Sequence, residues 1–430
     1  MYSVVRENVY DPRKLALYRR PPLGVTSGSQ LLAAIFLLHV VPCCALPQAA
    51  PATQKSPVTI PIQVAANLVY MHGRINDSRQ LSVALDTGSS FSIVAPAIAQ
   101  QLDLHTSGTT EAAGIGHGSS QTVRFVEGAR LQWGDEASRV SIENQRIAVL
   151  PIDYIADQVG IPTDAIFGSN VFENFRVTVD YKHQRASFAS PDSPLVDAGE
   201  SIPIRILGGT PYVTATLYGA SSSGVSGLFL LDSGTTGALI LNQQFLSAHP
   251  KLIAGRKFVD TPSVNAVGGT INLKLVRIAG LRLGSFKFDQ VVVAVPQSST
   301  GVFANPEIAG FIGADIMRRF AVTWDYAHQR VLLKPNSYLN EGFEADASGL
   351  RLTVEPPDYT TIHVAAMLPD SPAAAAGLRV GDVVTAFNGA RDLPLWHVVD
   401  ELRKPDSSPV LSILRDHKHL TVTLHLRRLV

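Results

Sequence analysis

Through most of the chain, apolar and polar residues alternate over short stretches bounded by glycine, proline or asparagine. Examples are residues 81–85, 122–126, 271–278 and 291–295. A period of two over this length predicts β-strands. Helical spacing is rare before residue 336 and predicts only short helices, over residues 96–102 and 242–248. The pattern therefore predicts a mainly β protein.

A long internal repeat organises this pattern. Residues 166–188 (IFGSNVFENFRVTVDYKHQRASF) match residues 311–333 (FIGADIMRRFAVTWDYAHQRVLL), so that Gly168 aligns with Gly313. Upstream, LDTGSS at residues 85–90 matches LDSGTT at residues 231–236 with nearly the same offset. Two motifs in the same order and at the same spacing indicate a duplicated lobe.

After residue 335 the pattern changes to that of a small separate α+β unit. Strands are predicted over residues 350–354, 361–365 and 383–387, short helices over 371–376 and 395–403, and two further strands close the unit. We predict seven segments: a signal peptide or N-terminal anchor (1–45), a linker (46–57), the first lobe (58–190), an inter-lobe connector (191–200), the second lobe (201–335), a linker (336–348) and the C-terminal domain (349–430).

The N-terminus has the order of regions found in an export signal. Four basic residues within 13–20 precede an apolar run at 31–41, which is followed by Pro42 and small residues. This order predicts a signal peptide, and the run is short for a membrane span. A lipid-modified cysteine is disfavoured, because Pro42 or Cys43 would stand before it where a small residue is required. We expect a periplasmic or secreted protein, with a membrane anchor through an uncleaved segment as the alternative.

Composition excludes several classes of function. The chain has 36 basic and 36 acidic residues, so no net charge attracts nucleic acid, and we expect no nucleic-acid partner. Its two cysteines, Cys43 and Cys44, are adjacent and rarely would form an unstrained disulfide. No metal-ligand spacing, P-loop, G-x-G-x-x-G or G-x-S-x-G motif occurs. We therefore expect neither a metal nor a cofactor.

The repeated motif offers a different chemistry. Asp86 and Asp232 each follow an apolar strand and precede a hydroxyl residue, a glycine and two further hydroxyl residues. Glycine allows two such turns to approach each other closely. Two carboxylates held together cannot both ionise, so the pair would supply a general base and a general acid that activate water against an amide. A single triplet of this kind is usually an ordinary turn, but its duplication favours a catalytic pair.

The motifs resemble those of the aspartic peptidases of the pepsin and retropepsin clan, over roughly residues 58–335. The resemblance implies two retropepsin-like β lobes with Asp86 and Asp232 as the catalytic pair. It implies a reciprocal grip between Thr87 and Ser233, hydrogen bonds from Ser89 and Thr235 to the outer carboxylate oxygens, close approach at Gly88 and Gly234, and strands through Gly168 and Gly313 that pass behind the catalytic loops.

Lids over the cleft are predicted at two glycine-rich segments. Gly114, Ile115 and Gly116 lie in the first lobe, and Gly268 and Gly269 lie in the second. No tyrosine matches the one in the pepsin flap, so two such flaps are more similar to a fused retropepsin dimer. Simple hairpin turns are the alternative interpretation.

The C-terminal unit resembles the PDZ domains of exported bacterial peptidases, on the stretch SPAAAAGLRVGDVV at residues 371–384 and FNG at 387–389. The resemblance implies that backbone amides of Gly349, Leu350, Arg351 and Leu352 receive the terminal carboxylate of a peptide. A helix at 395–403 has one apolar face that could be core, groove wall or both. A purely structural cap is the alternative to peptide binding.

Together these features predict an exported aspartic endopeptidase that acts on polypeptides. Its PDZ domain would dock a substrate or a partner's C-terminus. Two half-sites in one chain remove the need to dimerise, so we expect a monomer. The alternative is a catalytically silent peptide-binding or scaffolding protein of the cell envelope.

Overall fold

The computed structural model describes residues 56–112, 121–196, 199–220, 223–266, 269–297, 303 and 305–430. The predicted signal segment (1–45) and nearly all of the first linker (46–57) lie outside these residues. Within them, no helix is both long and apolar enough to cross a membrane.

The first half of the chain is built from short strands. They are β1 (Val58–Pro61), β2 (Gln63–Ala65), β3 (Leu68–Ile75), β4 (Leu81–Leu85), β5 (Ser92–Val94), β6 (Thr106–Ala112), β7 (Gln121–Trp133), β8 (Val140–Val149), β9 (Ala165–Phe167), β10 (Arg176–Asp180) and β11 (Arg185–Ala189). The helices between them are α1 (Pro96–Gln101), α2 (Asp153–Val159) and α3 (Ser169–Asn174).

The second half repeats this design. Its strands are β12 (Glu200–Pro203), β13 (Arg205–Leu207), β14 (Thr210–Tyr218), β15 (Val225–Asp232), β16 (Leu239–Leu241), β17 (Val259–Asp260), β18 (Val264–Ala266), β19 (Gly269–Ile271), β20 (Leu273–Arg277), β21 (Gly280–Leu283), β22 (Phe286–Asp289), β23 (Val292–Pro296), β24 (Gly310–Gly313), β25 (Phe320–Asp325) and β26 (Arg330–Pro335). Its helices are α4 (Gln243–Ala248) and α5 (Ala314–Met317), with 3₁₀ turns at Pro250–Leu252 and Tyr326–His328.

Each half folds into its own lobe. In the first, the sheet order is β2-β3-β4-β9-β5-β8-β7-β6, and β3 also pairs with β7, so the sheet closes on itself. In the second, the order is β17-β20-β23-β16-β24-β15-β14-β21-β22. The parallel pairs β4–β9 and β5–β8 of the first lobe correspond to β15–β24 and β16–β23 of the second. The repeat in the sequence is thus a repeat in topology.

A shared sheet joins the lobes in the order β1-β11-β10-β25-β26-β12. At its centre β10 and β25 are antiparallel, and Thr178 pairs with Thr323. Their hydroxyl oxygens lie 2.8 Å apart. Because these two threonines are equivalent in the repeat, a pseudo-twofold axis passes between them.

Apolar side chains of the alternating stretches fill the interior of each lobe. In the first lobe, Trp133 packs edge-on against Phe167 and Phe175, with ring centroids 5.7 and 5.6 Å apart. The predicted helices at 96–102 and 242–248 are confirmed as α1 and α4. The strand predicted over 271–278 is confirmed as β20 from Leu273 to Arg277, whereas Ile271 ends the separate strand β19.

The C-terminal unit is a small sheet with two helices. It contains β27 (Leu350–Glu355), β28 (Asp358–Met367), α6 (Pro372–Ala375), β29 (Val383–Phe387), α7 (Leu395–Glu401), β30 (Val410–Arg415) and β31 (Lys418–Thr423). The strands follow chain order, so that β27 and β31 are the edges. These elements match the predicted ones closely. The whole fold is mainly β, with two pseudo-symmetric lobes and a small α+β domain.

The linker at 336–348 is held by one buried arginine. Arg319 follows α5 and donates to the backbone carbonyls of Tyr338, Leu339, Glu341 and Gly342. Its guanidinium carbon also lies 3.8 Å from the ring centroid of Phe343. The first part of the linker is therefore held against the second lobe.

Candidate active site

The two aspartates lie where paired strands end, at equivalent positions of the two lobes. Asp86 directly follows β4, and its N–H donates to the carbonyl of Phe167, 3.0 Å away. Asp232 ends β15 and stands opposite Gly313 in the parallel ladder with β24. Both side chains are fully buried. Each lobe thus brings one carboxylate to the boundary between the lobes.

The glycine after each aspartate allows the other carboxylate to come close. A Cβ atom on Gly88 would lie 2.4 Å from Oδ1 of Asp232, and one on Gly234 would lie 2.6 Å from Oδ2 of Asp86. Real Cβ atoms essentially never approach other atoms within 3.0 Å. No other residue fits at either position while the two turns meet face to face.

Reciprocal hydrogen bonds hold the turns together. The N–H of Thr87 donates to Oγ of Ser233, and the N–H of Ser233 donates to Oγ1 of Thr87, each over 3.0 Å. The hydroxyl of Thr87 donates in turn to the carbonyl of Leu231 at 2.8 Å, and that of Ser233 to the carbonyl of Leu85 at 3.3 Å. Each lobe therefore fixes the backbone that carries the other lobe's aspartate.

The two carboxylates differ in their own hydrogen bonds. Asp232 accepts from the N–H of Gly234 at 2.9 Å and from the hydroxyl of Thr235 at 2.7 Å. Asp86 accepts from the N–H of Gly88 at 2.7 Å. Among the described residues, no donor meets its second oxygen, Oδ2, which is buried.

The role predicted for Ser89 is therefore wrong. Its hydroxyl donates to the carbonyl of Phe91 at 2.6 Å and does not reach Asp86. The local turn of the first motif brings this carbonyl nearer to the hydroxyl than the carboxylate, which the sequence could not reveal. Thr235 alone among the two predicted residues bonds an outer carboxylate oxygen.

Burial and mutual repulsion set the protonation of the pair. Burial is the largest effect on both groups, because it penalises the charged form. It raises the pKa of Asp86 well above its ordinary range, and the charge of Asp232 raises it further. Burial also raises the pKa of Asp232, to about 6, against the opposing bonds from Thr235 and Gly234. The pair thus retains a proton at pH values where isolated aspartates have lost theirs.

A strand or helix start passes directly behind each turn. A Cβ on Gly168 would lie 2.4 Å from the carbonyl oxygen of Phe91, and one on Gly313 would lie 2.2 Å from that of Gly237. Gly313 is the last residue of β24, whereas Gly168 lies just after β9 and is the N-cap residue of α3. Both glycines allow the close crossing that supports the aspartate turns from behind.

Comparison with known proteins finds matches for two parts of the chain. Residues 71–171 match the family model described as aspartyl protease, and residues 363–415 match the PDZ domain model. The first match includes Asp86 but not Asp232. The chain carries an aspartyl protease domain and a PDZ domain. An aspartic proteinase from Irpex lacteus is similar in structure, with 15% identity and a TM-score of 0.40, over 66% of this chain and 99% of that one. No curated protein matches the sequence.

The predicted flaps of the protease are described only in part. Gly114, Ile115, Gly116 and Gly268 lie outside the described residues. Gly269 begins β19, where it pairs with Ala266 of β18 and has a φ of +116°. A left-handed φ of this size favours glycine, so Gly269 is a hairpin-turn residue.

In the PDZ domain, the predicted carboxylate loop already uses part of its amides. The N–H of Gly349 donates to Oδ2 of Asp346 at 2.5 Å, and that of Leu350 donates to Oγ of Ser348 at 3.0 Å. The prediction that these two amides receive a peptide carboxylate therefore differs from the structure. Arg351 and Leu352 continue into β27, and one guanidinium nitrogen of Arg351 donates to the carbonyl of Ser263 at 2.5 Å.

One contact near the aspartates was missed from the sequence. Asn67, in the turn between β2 and β3, donates from its side-chain nitrogen to the carbonyl of Thr236 at 2.8 Å. It links the first lobe to the second motif. Its φ of +67° places it in a turn, but no local pattern of residues points to a partner in the other lobe. Among the described residues, no group of histidine, cysteine, aspartate and glutamate side chains could hold a metal ion.

Proposed function

We propose that this protein is an aspartic endopeptidase in which Asp86 and Asp232 activate water for attack on a peptide bond. The observation that carries the proposal is the face-to-face approach of the two buried carboxylates, which depends on Gly88 and Gly234. Each lobe supplies one of the two carboxylates. A polypeptide in extended form would lie in the cleft between the lobes.

The asymmetry of the pair supports different roles for the two aspartates. Asp232 receives two hydrogen bonds that stabilise its charged form, whereas burial and the charge of Asp232 favour the proton on Asp86. If Oδ2 of Asp86 carries the proton, this oxygen can donate a hydrogen bond to Asp232. In this state Asp232 is the general base and Asp86 the general acid.

The reaction then proceeds through proton transfers between water, the two carboxyl groups and the peptide bond. Asp232 removes a proton from water as the water oxygen bonds to the amide carbon, while Asp86 donates its proton to the carbonyl oxygen. The resulting gem-diol collapses as the amide nitrogen takes the proton from Asp232, one gem-diol hydroxyl returns its proton to Asp86, and the carbon–nitrogen bond breaks. The products are a carboxyl group and an amine, and one proton remains on the pair.

The experiment is cleavage of a peptide library across pH by the wild type and by Asp86→Asn and Asp232→Asn. Each substitution keeps the side-chain shape but removes one titrating group, so we expect loss of cleavage in both. Thermal unfolding of each variant controls for folding. Retained cleavage in either folded variant would refute the mechanism. Peptide binding without cleavage by the wild type would favour a silent scaffolding protein.

We further propose that the protein is exported and works as a monomer. The order of basic, apolar and small residues in segment 1–45 supports export, either into the periplasm or beyond, or retention by an uncleaved anchor. The presence of both aspartate motifs in one chain supports a monomeric enzyme. Determining the N-terminal residue of the exported protein, and its mass in solution, tests both points.

A further inference from the structure

The PDZ domain lies against the first lobe with the side that would receive a peptide. A PDZ domain binds an extended peptide by adding it to the edge of its sheet. Here the candidate edge is β27, which pairs with β28 along one side. The helix α7 packs against β27 and β28, so a groove runs between α7 and the outer side of β27.

Helix α2 of the protease lobe lies against both elements that border this groove. Its backbone lies within 8 Å of the backbones of both β27 and α7. The end of α2 is in close contact with the start of α7, since a Cβ on Gly160 would lie 2.7 Å from Cβ of Leu395. Trp396, the next residue of α7, packs on the apolar cluster of the first lobe that includes Ile155 and Val159.

Charge supports the same contact. Asp157 of α2 lies close enough to Arg351 of β27 for its charge to raise the pKa of the guanidinium, against the larger lowering by burial. Asp153 and Asp157 also act on Tyr359 of β28, whose pKa burial raises. The acidic face of α2 is therefore turned toward the strands that would receive a peptide's negatively charged terminus.

The second lobe is joined to the same edge. Arg351 donates to the carbonyl of Ser263, the residue before β18, and α2 also packs against β18. The strands β18 and β19 form the hairpin that carries Gly269. On the other side, α2 leads through residues 160–164 into β9, whose last carbonyl accepts the N–H of Asp86. The contact between α2 and the PDZ domain is thus connected to the β18–β19 hairpin on one side and, through β9, to the turn of Asp86 on the other.

We propose that α2 closes the peptide groove of the PDZ domain from within the same chain, so that a peptide with a free C-terminal carboxylate binds only by displacing α2. The domain is then an intramolecular clamp that a peptide terminus releases. This inference rests on the peptide-docking role that the sequence predicts for the PDZ domain and is independent of catalysis.

A substitution at Gly160 tests the clamp, and the chain offers a matched control. Gly160 has a φ of +76° and Gly377 has a φ of +78°, and both follow short helices. A Cβ on Gly160 would collide with Leu395, whereas a Cβ on Gly377 would meet no atom within 4 Å. Gly160→Ala and Gly377→Ala therefore carry similar backbone strain, but only the first disturbs the groove contact.

Both variants are made in the full-length Asp232→Asn protein, so that probe peptides are bound and not cut. The probe is a library of octapeptides with free C-terminal carboxylates, with the same peptides as C-terminal amides for comparison. We expect Gly160→Ala to bind the free-acid peptides at least about tenfold more tightly than its parent, because the competing helix is already loosened. Gly377→Ala should bind as the parent does.

Tryptophan fluorescence gives a second readout. Trp133 and Trp324 are buried in the lobes, whereas Trp396 lies in the groove contact. We expect a red-shifted emission from Gly160→Ala, and a similar shift when peptide binds to the parent. If Gly160→Ala does not fold, Asp157→Lys replaces it, since a positive charge beside Arg351 would loosen α2 without altering the PDZ domain.

Equal affinity in the parent and in the loosened variant, with Trp396 emission unchanged by the peptide, would overturn the proposal. So would a folded variant with a released α2 that binds no peptide of the library. Because neither measurement requires cleavage, failure of the clamp is distinguishable from failure of the proposed peptidase activity.

Discussion

The hydrogen bond from Thr235 to Asp232 makes a testable contribution to the pH dependence of cleavage. In the proposed mechanism Asp232 must be charged, and its protonation at low pH ends activity. Thr235→Val keeps the shape of the side chain but removes the hydroxyl that lies 2.7 Å from Oδ2 of Asp232. Since this bond lowers the pKa of Asp232, its loss should move the acidic limb of the kcat/KM profile to higher pH.

The size of the shift follows from the strength of the bond. A hydrogen bond to a buried charged group contributes about 1.5–3 kcal/mol, and one pKa unit corresponds to about 1.4 kcal/mol. The acidic limb, expected near the Asp232 pKa of about 6 in the wild type, should therefore rise by about one to two pH units. Thr235→Ser retains the donor and should restore the limb.

The assay is steady-state cleavage of one fluorogenic peptide, selected from the library, between pH 3 and pH 9 (about the range in which both limbs are expected). Ser89→Ala is the matched control, because Ser89 occupies the equivalent position but bonds the carbonyl of Phe91. Ser89→Ala should slightly lower the free energy of unfolding and leave the acidic limb of the kcat/KM profile unchanged. An unmoved limb in Thr235→Val, or an equal shift in Ser89→Ala, would refute the assigned asymmetry.

Three further predictions concern close approach, the linker and stability. Gly88→Ala should abolish cleavage in the peptide assay, because its Cβ would lie 2.4 Å from Oδ1 of Asp232. Gly342→Ala is the control and should remain active, because its Cβ would lie 3.7 Å from the nearest atom. Arg319→Met should lower the free energy of unfolding by about 1–3 kcal/mol, measured by urea denaturation, because it removes the guanidinium that donates to the carbonyls of Asp315 and of the linker. Burial raises the pKa of Asp232 and of Asp346 to about 6, so the folded state binds these two protons more tightly than the unfolded state does. The free energy of unfolding should therefore fall by roughly 1 kcal/mol per group as the pH rises from about 5 to 7. Urea midpoints that stay level over this interval would contradict the last prediction, and Asp232→Asn should reduce the slope.

The sequence alone determined the features that repeat or that follow a local period. Alternation predicted most strands, and the duplicated motifs paired Asp86 with Asp232 across the chain. Such inferences succeed because a strand's burial pattern is local and because a duplicated lobe places equivalent residues about one axis. The glycines after each aspartate were readable for the same reason, since only glycine permits close approach of two turns.

Tertiary structure decided which neighbours each side chain selects. Ser89 and Thr235 occupy equivalent sequence positions, yet only Thr235 reaches a carboxylate, because small differences in turn geometry move a hydroxyl between acceptors. The short helix α2 was not predicted from the sequence. Its packing on β27 and α7 depends on surfaces about two hundred residues apart in the chain, and no local pattern of residues encodes a contact whose free energy depends on the shape of both partners.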